Sequence, residues 1–194
     1  MKRLAVMFSG GGTDFQALID GERNGEYDGK IVVAISSNHK AYGIERAKKA
    51  GIDCYVFPKN EYASAEERDR AVLEVFEKYD VELIFLAGYL GILTKPLIDR
   101  YPHAVVNSHP ALLPKFGGKG MYGLNVHKAV IEAGEMKSGA TVHYSVGGID
   151  TGAIILQRSL DVLPDDTPES LQQRILNEIE HPLLVEAARL LCNE

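Results

Sequence analysis

The segment Asn107-Ser108-His109-Pro110-Ala111-Leu112-Leu113-Pro114 sets an amide and an imidazole two residues apart. On an extended chain such residues share a face, so Asn107 and His109 point the same way. An amide donor suits a carbonyl oxygen that is becoming an oxyanion, and an imidazole suits a proton in transit. A histidine before a proline can equally use its hydrogen bonds in the turn. Asp150 lies in Gly147-Gly148-Ile149-Asp150-Thr151-Gly152. A carboxylate beside an imidazole orients it and favours its charged form. Spacing alone does not bring Asp150 to His109, and aspartate is also a common turn former. The third group is Ser9-Gly10-Gly11-Gly12-Thr13-Asp14. Between a strand and a helix, such a loop turns backbone N–H groups and the helix dipole toward an anion, commonly a phosphate. It lacks the Gly-Lys-Ser/Thr ending of a nucleotide P-loop and does not complete the dinucleotide fingerprint, which weakens ATP and NAD as ligands. A tight turn without a ligand is the alternative.

Positioning these groups requires a sheet. Short apolar runs at residues 4–8, 30–36, 53–57, 82–87 and 104–106 alternate with segments of helical period at 15–24, 42–50, 64–79 and around Leu97 and Ile98. That alternation predicts an α/β fold, a Rossmann-like, mostly parallel sheet with helices on both faces. Two further strands, 140–146 and 153–162, are joined by the short Gly147–Gly152 connection and predict an antiparallel pair toward the C-terminus. A helix near 124–133 precedes them, and a terminal helix starts with Thr167 as N-cap and Pro168 at its first position. In such sheets ligands bind beyond the carboxyl ends of the strands. The glycine loop follows the first strand, and Asn107 and His109 follow the strand at 104–106.

The 194 residues, 45% hydrophobic and 25% charged, fit one domain. Cys54 and Cys192 lie far apart with no C-x-x-C partner, which disfavours a disulfide framework or a thiolate zinc site and fits a reducing, cytoplasmic setting. With 21 basic against 27 acidic residues the net charge is −6, and no basic block stands out, so nucleic acid is not an expected partner. No apolar run approaches the roughly 20 residues of a membrane span, and no signal peptide is expected.

These motifs, with Leu86-Ala87-Gly88-Tyr89 and Val142-His143-Tyr144, occur in the order found in the phosphoribosylglycinamide formyltransferase family, which the chain resembles along essentially its whole length. The resemblance implies transfer of a formyl group from 10-formyltetrahydrofolate to the amino group of glycinamide ribonucleotide in de novo purine (IMP) biosynthesis, with no metal and no covalent enzyme intermediate. Asn107, His109 and Asp150 match the family's catalytic trio. Gly12, Thr13 and Asp14 match its phosphate loop, and Glu180 its glycinamide contact. Leu90, Gly91, Ile92 and Leu93, with Val146, Gly147, Gly148 and Ile149, match the segments around the pterin, which Asn107 and Asp150 also face. One catalytic domain spanning 1–194 is implied, with a phosphate-binding half to about residue 100 and a catalytic and folate-binding half beyond it, acting as monomer or homodimer. Taken by themselves, Leu90, Ile92 and Leu93 read as core, and Glu180 as solvated helix.

The chain departs from the family pattern in three places. Asp14 stands where asparagine is frequent, which puts a negative charge near a phosphate and leaves its binding to backbone groups. Ala65 and Gly91 stand where many members carry arginines for the acidic folate tail. Pro182 follows His181 and shifts the helix start that positions Glu180. Methionyl-transfer-RNA formyltransferase and formyltetrahydrofolate hydrolase share the core pattern, but each carries an additional domain for which the expected elements leave no room. A non-catalytic module binding a phosphosugar or a folate is the reading from another class.

Overall fold

The computed structural model describes all residues, Met1–Glu194. β1 (Lys2–Phe8) is fully buried from Leu4 onward and serves both sides of the sheet, with Leu4, Val6 and Phe8 in one apolar layer and Ala5 and Met7 in the other. Alternation of side chains along a strand produces this division. The first layer is completed by α1 (Thr13–Arg23), α2 (Gly43–Ala50), α5 (Leu124–Glu132), α6 (Pro168–Ile175) and α7 (His181–Cys192), and the second by α3 (Ala65–Lys78) and α4 (Lys95–Arg100).

With β2 (Gly29–Ser36), β3 (Cys54–Val56), β4 (Leu83–Leu86), β5 (Val105–His109), β6 (Lys137–Tyr144) and β7 (Ile154–Asp161), the sheet has seven strands in the order β3-β2-β1-β4-β5-β6-β7. β1 to β5 pair in parallel; β5–β6 and β6–β7 are antiparallel. The strand order reverses direction at β1, flanked by β2 and β4, so the crevice between the carboxyl ends of β1 and β4 is the switch point where ligands bind in such folds. The glycine loop and Gly88 face each other there, joined by Ser9 N–H to the Gly88 carbonyl at 3.2 Å and Leu90 N–H to Ser9 Oγ at 2.8 Å.

Two expectations are corrected. The strand expected at 104–106 continues to His109, because its far end pairs with β6, with Asn107 opposite His143 and His109 opposite Thr141. Asn107 and His109 therefore sit on the sheet itself. The single terminal helix is three pieces, α6, a π turn at Leu176–Glu180, and α7, with Pro182 in the first turn of α7. Proline has no N–H to offer the preceding turn, and π turns concentrate at functional positions. No helix is long and apolar enough to cross a membrane.

Candidate active site

A cleft of 430 Å³ runs from the β1/β4 switch point to the end of β5. At one end lie Asn107, His109 and Asp150. Their convergence follows from register: β5 presents residues 107 and 109 on one face, and the β6–β7 connection returns Asp150 over that face. Asp150 Oδ2 lies 3.5 Å from His109 Nδ1, and Oδ1 accepts from Asn107 Nδ2 at 3.3 Å. Asp150 has φ 54°, a left-handed conformation uncommon outside glycine, at a position where strain accompanies function. Burial pushes its carboxyl up, but His143, the Gly118 N–H and the His109 charge outweigh burial and hold it below the ordinary value.

The first contacts of this trio are internal. Asn107 Nδ2 also faces His143 Nε2 at 3.1 Å, while His143 Nδ1 donates to the Tyr144 carbonyl at 2.9 Å. His109 Nε2 donates to the Phe116 carbonyl at 2.8 Å, and the Gly118 N–H donates to Asp150 Oδ2 at 3.0 Å. Phe116 is itself left-handed, φ 56°. The 116–118 backbone thus rests on both titratable members of the trio. His127, buried on α5, is pushed down to about 4 by burial and the His109 charge, so it stays neutral at physiological pH.

Opposite the trio, Ser108 Oγ donates to Glu180 Oε1 at 2.7 Å. Glu180 is buried, which corrects its reading as solvated helix: the π turn rotates it off the outer face and into the cleft. Burial and the Asp14 charge push its carboxyl well above the usual range. Asp14, also buried, places Oδ1 3.3 Å from His181 Nε2. Its carboxyl is therefore turned toward Glu180 and His181.

Leu90, Gly91, Ile92 and Leu93 line the cleft, as do Gly147, Gly148, Ile149, Asp14 and Glu180; Gly12, Thr13 and Val146 do not. Leu93 is core, but Leu90 and Ile92 are 66% and 61% exposed, so the core reading fails for these two. Gly12 is glycine for a reason within the fold: φ is 71°, and a Cβ would lie 2.9 Å from Gly43 Cα. Gly91 answers to Tyr89, whose ring would lie 2.5 Å from a Cβ there. Sequence reasoning missed Ser108 and His143 as site residues. The alternation of β5 and the Asn107–His143 register carry the signal for both. No group of three or more His, Cys, Asp or Glu side chains is placed to hold a metal ion.

A doubly wound sheet that carries Asn107 and His109 on one strand of its crevice, with Asp150 returned over them by the β6–β7 connection, supplies the oxyanion donor and the proton carrier that a group-transfer enzyme needs. Residues 2–188 match the family model for formyl transferase, and the chain belongs to that family. Within it, the chain is similar to phosphoribosylglycinamide formyltransferases. It is 42% identical over 197 residues to the chloroplastic protein of Arabidopsis thaliana, with 100% of this chain and 66% of that one covered. The Haemophilus influenzae protein is 39% identical over 174 residues, covering 90% of this chain and 80% of the relative. The crystal structure of glycinamide ribonucleotide transformylase 1 from Symbiobacterium toebii superposes with a TM-score of 0.93 at 40% identity, over 100% of this chain and 88% of that one. The chain spans somewhat less than two thirds of the two chloroplastic relatives, 66% for Arabidopsis thaliana and 62% for Vigna unguiculata.

Proposed function

We propose that the protein transfers the formyl group of 10-formyltetrahydrofolate to the amino group of glycinamide ribonucleotide, giving formylglycinamide ribonucleotide and tetrahydrofolate in purine biosynthesis. The observation that carries this reading is the meeting of Asn107, His109 and Asp150 in one cleft with Glu180 and an exposed apolar ledge. The substrate amine attacks the formyl carbon directly. A C–N bond forms, and the formyl oxygen becomes an oxyanion held by Asn107 and His109. The attacking nitrogen then loses a proton, which passes through His109, or a water held by Asp150, to N10 of the folate as the C–N10 bond breaks. Asp150 orients His109 and stabilises positive charge on it. For this to occur the formyl oxygen takes the place of the Phe116 carbonyl on His109.

The ledge of Leu90 and Ile92, with Gly147 to Ile149 across the cleft, suits a flat heterocycle with polar edges. Glycinamide ribonucleotide lies between Glu180 and the glycine loop, where Gly12 and Thr13 open α1 and meet the phosphate with backbone N–H groups. In this reading residues 1–194 act as one catalytic domain, with phosphate binding mainly before residue 100 and catalysis beyond it. Leu90 to Leu93 and Glu180 cross that division. The partners are small molecules, the compartment is the cytoplasm, and the unit is a monomer or homodimer. Purified protein mixed with both substrates should yield the formylated ribonucleotide by mass. Binding of both ligands without product would leave a binding module instead.

A further inference from the structure

Arg68 and Asp69 are buried charged neighbours in the second turn of α3, outside the cleft. Arg68 donates to Asp69 Oδ1 from Nε at 3.0 Å and Nη2 at 2.7 Å. Every other side-chain hydrogen bond of the pair goes to one short segment. Arg68 Nη2 donates to the Ile92 carbonyl at 2.8 Å, and Asp69 Oδ2 accepts from Thr94 N–H at 2.6 Å and Thr94 Oγ1 at 2.8 Å. A buried ion pair carries a desolvation penalty that an apolar replacement would avoid, so its presence calls for a specific use.

The segment it grips cannot hold itself. Leu90 and Ile92 turn their side chains outward, so burial does not fix their backbone, and the buried Tyr89 and Leu93 are all that anchors the segment by packing. Ser9 pins the front of the ledge through Leu90 N–H, and the Arg68–Asp69 pair pins the back. The Tyr89 ring fills the space beneath Gly91, and its buried hydroxyl has no partner, so the interior of the ledge offers no other polar restraint.

We propose that Arg68 and Asp69 are positioning residues for the co-substrate: through the Ile92 carbonyl and the Thr94 amide they hold the Leu90–Ile92 ledge in the shape that receives the flat heterocycle. The identity of that occupant rests on the function proposed above. Neither side chain touches a ligand, and neither acts on the reacting atoms.

The test uses Arg68→Met, Arg68→Lys and Thr94→Val, read by steady-state kinetics and by hydrogen exchange at amides 88–94. Arg68→Met should raise KM for 10-formyltetrahydrofolate about tenfold, as loss of a supporting contact does, with kcat and the ribonucleotide KM within about twofold. Exchange at 88–94 should quicken in the same variant. Arg68→Lys, which keeps the charge and one of the bonds, should recover part of the loss. Thr94→Val, which removes only the hydroxyl bond, should show a smaller change of the same kind without unfolding. Unchanged exchange overturns the proposal, as do quicker exchange with an unchanged folate KM and equal losses in both KM values and kcat. If the parent makes no formylated product, the function proposed above fails while this inference is still decided, by exchange and by calorimetric titration with tetrahydrofolate. A parent that does not bind tetrahydrofolate overturns both.

Discussion

At the scale of residues, the trio sets the first expectation. His109→Ala and Asp150→Asn should each lower turnover at least about a hundredfold in a folded protein, and the double variant should be little worse than the worse single one, because the groups act as a unit. Circular dichroism and single-turnover rates check both parts; parental turnover in the two single variants would remove the assignment. Glu180 gives a pH test. Its carboxyl holds a proton more tightly folded than unfolded, so the folded state loses stability as pH rises above the ordinary glutamate value. Glu180→Gln, which imitates the protonated form, should match the parent in melting temperature near about pH 4 and gain on it toward about pH 8. A constant difference across that range would mean that folding leaves the proton affinity of the Glu180 carboxyl unchanged. Asn107 and His109 were legible in the sequence because a period of two needs nothing but a strand. Glu180 was not, since its direction depends on a π turn that no local pattern announces, and the approach of Asp14 to His181 and Glu180 was not, because those neighbours come from the other end of the chain.

Among the elements, strands and helices were legible within a few residues wherever apolar period and breakers agreed. The start of α6 is the clearest case. Thr167 Oγ1 accepts from the Ser170 N–H at 3.1 Å and Ser170 Oγ accepts from the Thr167 N–H at 2.9 Å, a reciprocal cap. The end of β5 was obscured because its pairing with β6 is a long-range fact, and Pro110 only shows where a strand must stop. The glycine loop separates two kinds of glycine. Gly12→Ala forces a left-handed alanine against Gly43 and should cost about 1–2 kcal/mol, whereas Gly11→Ala meets nothing within 4 Å and should stay within about 0.5 kcal/mol of the parent. Denaturant melts of the two variants decide it. Loss of ribonucleotide affinity in a Gly12 variant therefore does not by itself locate a phosphate.

For the whole molecule, charge is the remaining question. The chain carries −6 overall, yet its proposed ligands are anionic, and Lys119 is the one lysine or arginine on the walls of the cleft. An exposed pair is worth roughly 0 to 1 kcal/mol and fades with salt. Lys119→Ala should thus weaken one of the two ligands by no more than about fivefold at low salt, with the difference vanishing at high salt; calorimetry across ionic strength reads both. A larger loss that survives salt would mean Lys119 is desolvated on binding. Adding an arginine at position 91 is a poor way to supply charge, because Tyr89 occupies the room its Cβ needs. The central strand β5 imposes a last condition. Asn107 and His109 serve one end of the cleft and Ser108 the other, so inserting or deleting one residue upstream in that strand would exchange the two sets and leave each facing the wrong ligand. Single-residue insertions and deletions should accordingly be tolerated in the loops on either side of Val105–His109 and not within it, and an active variant carrying such an indel inside the strand would show that the register is less binding than the geometry implies.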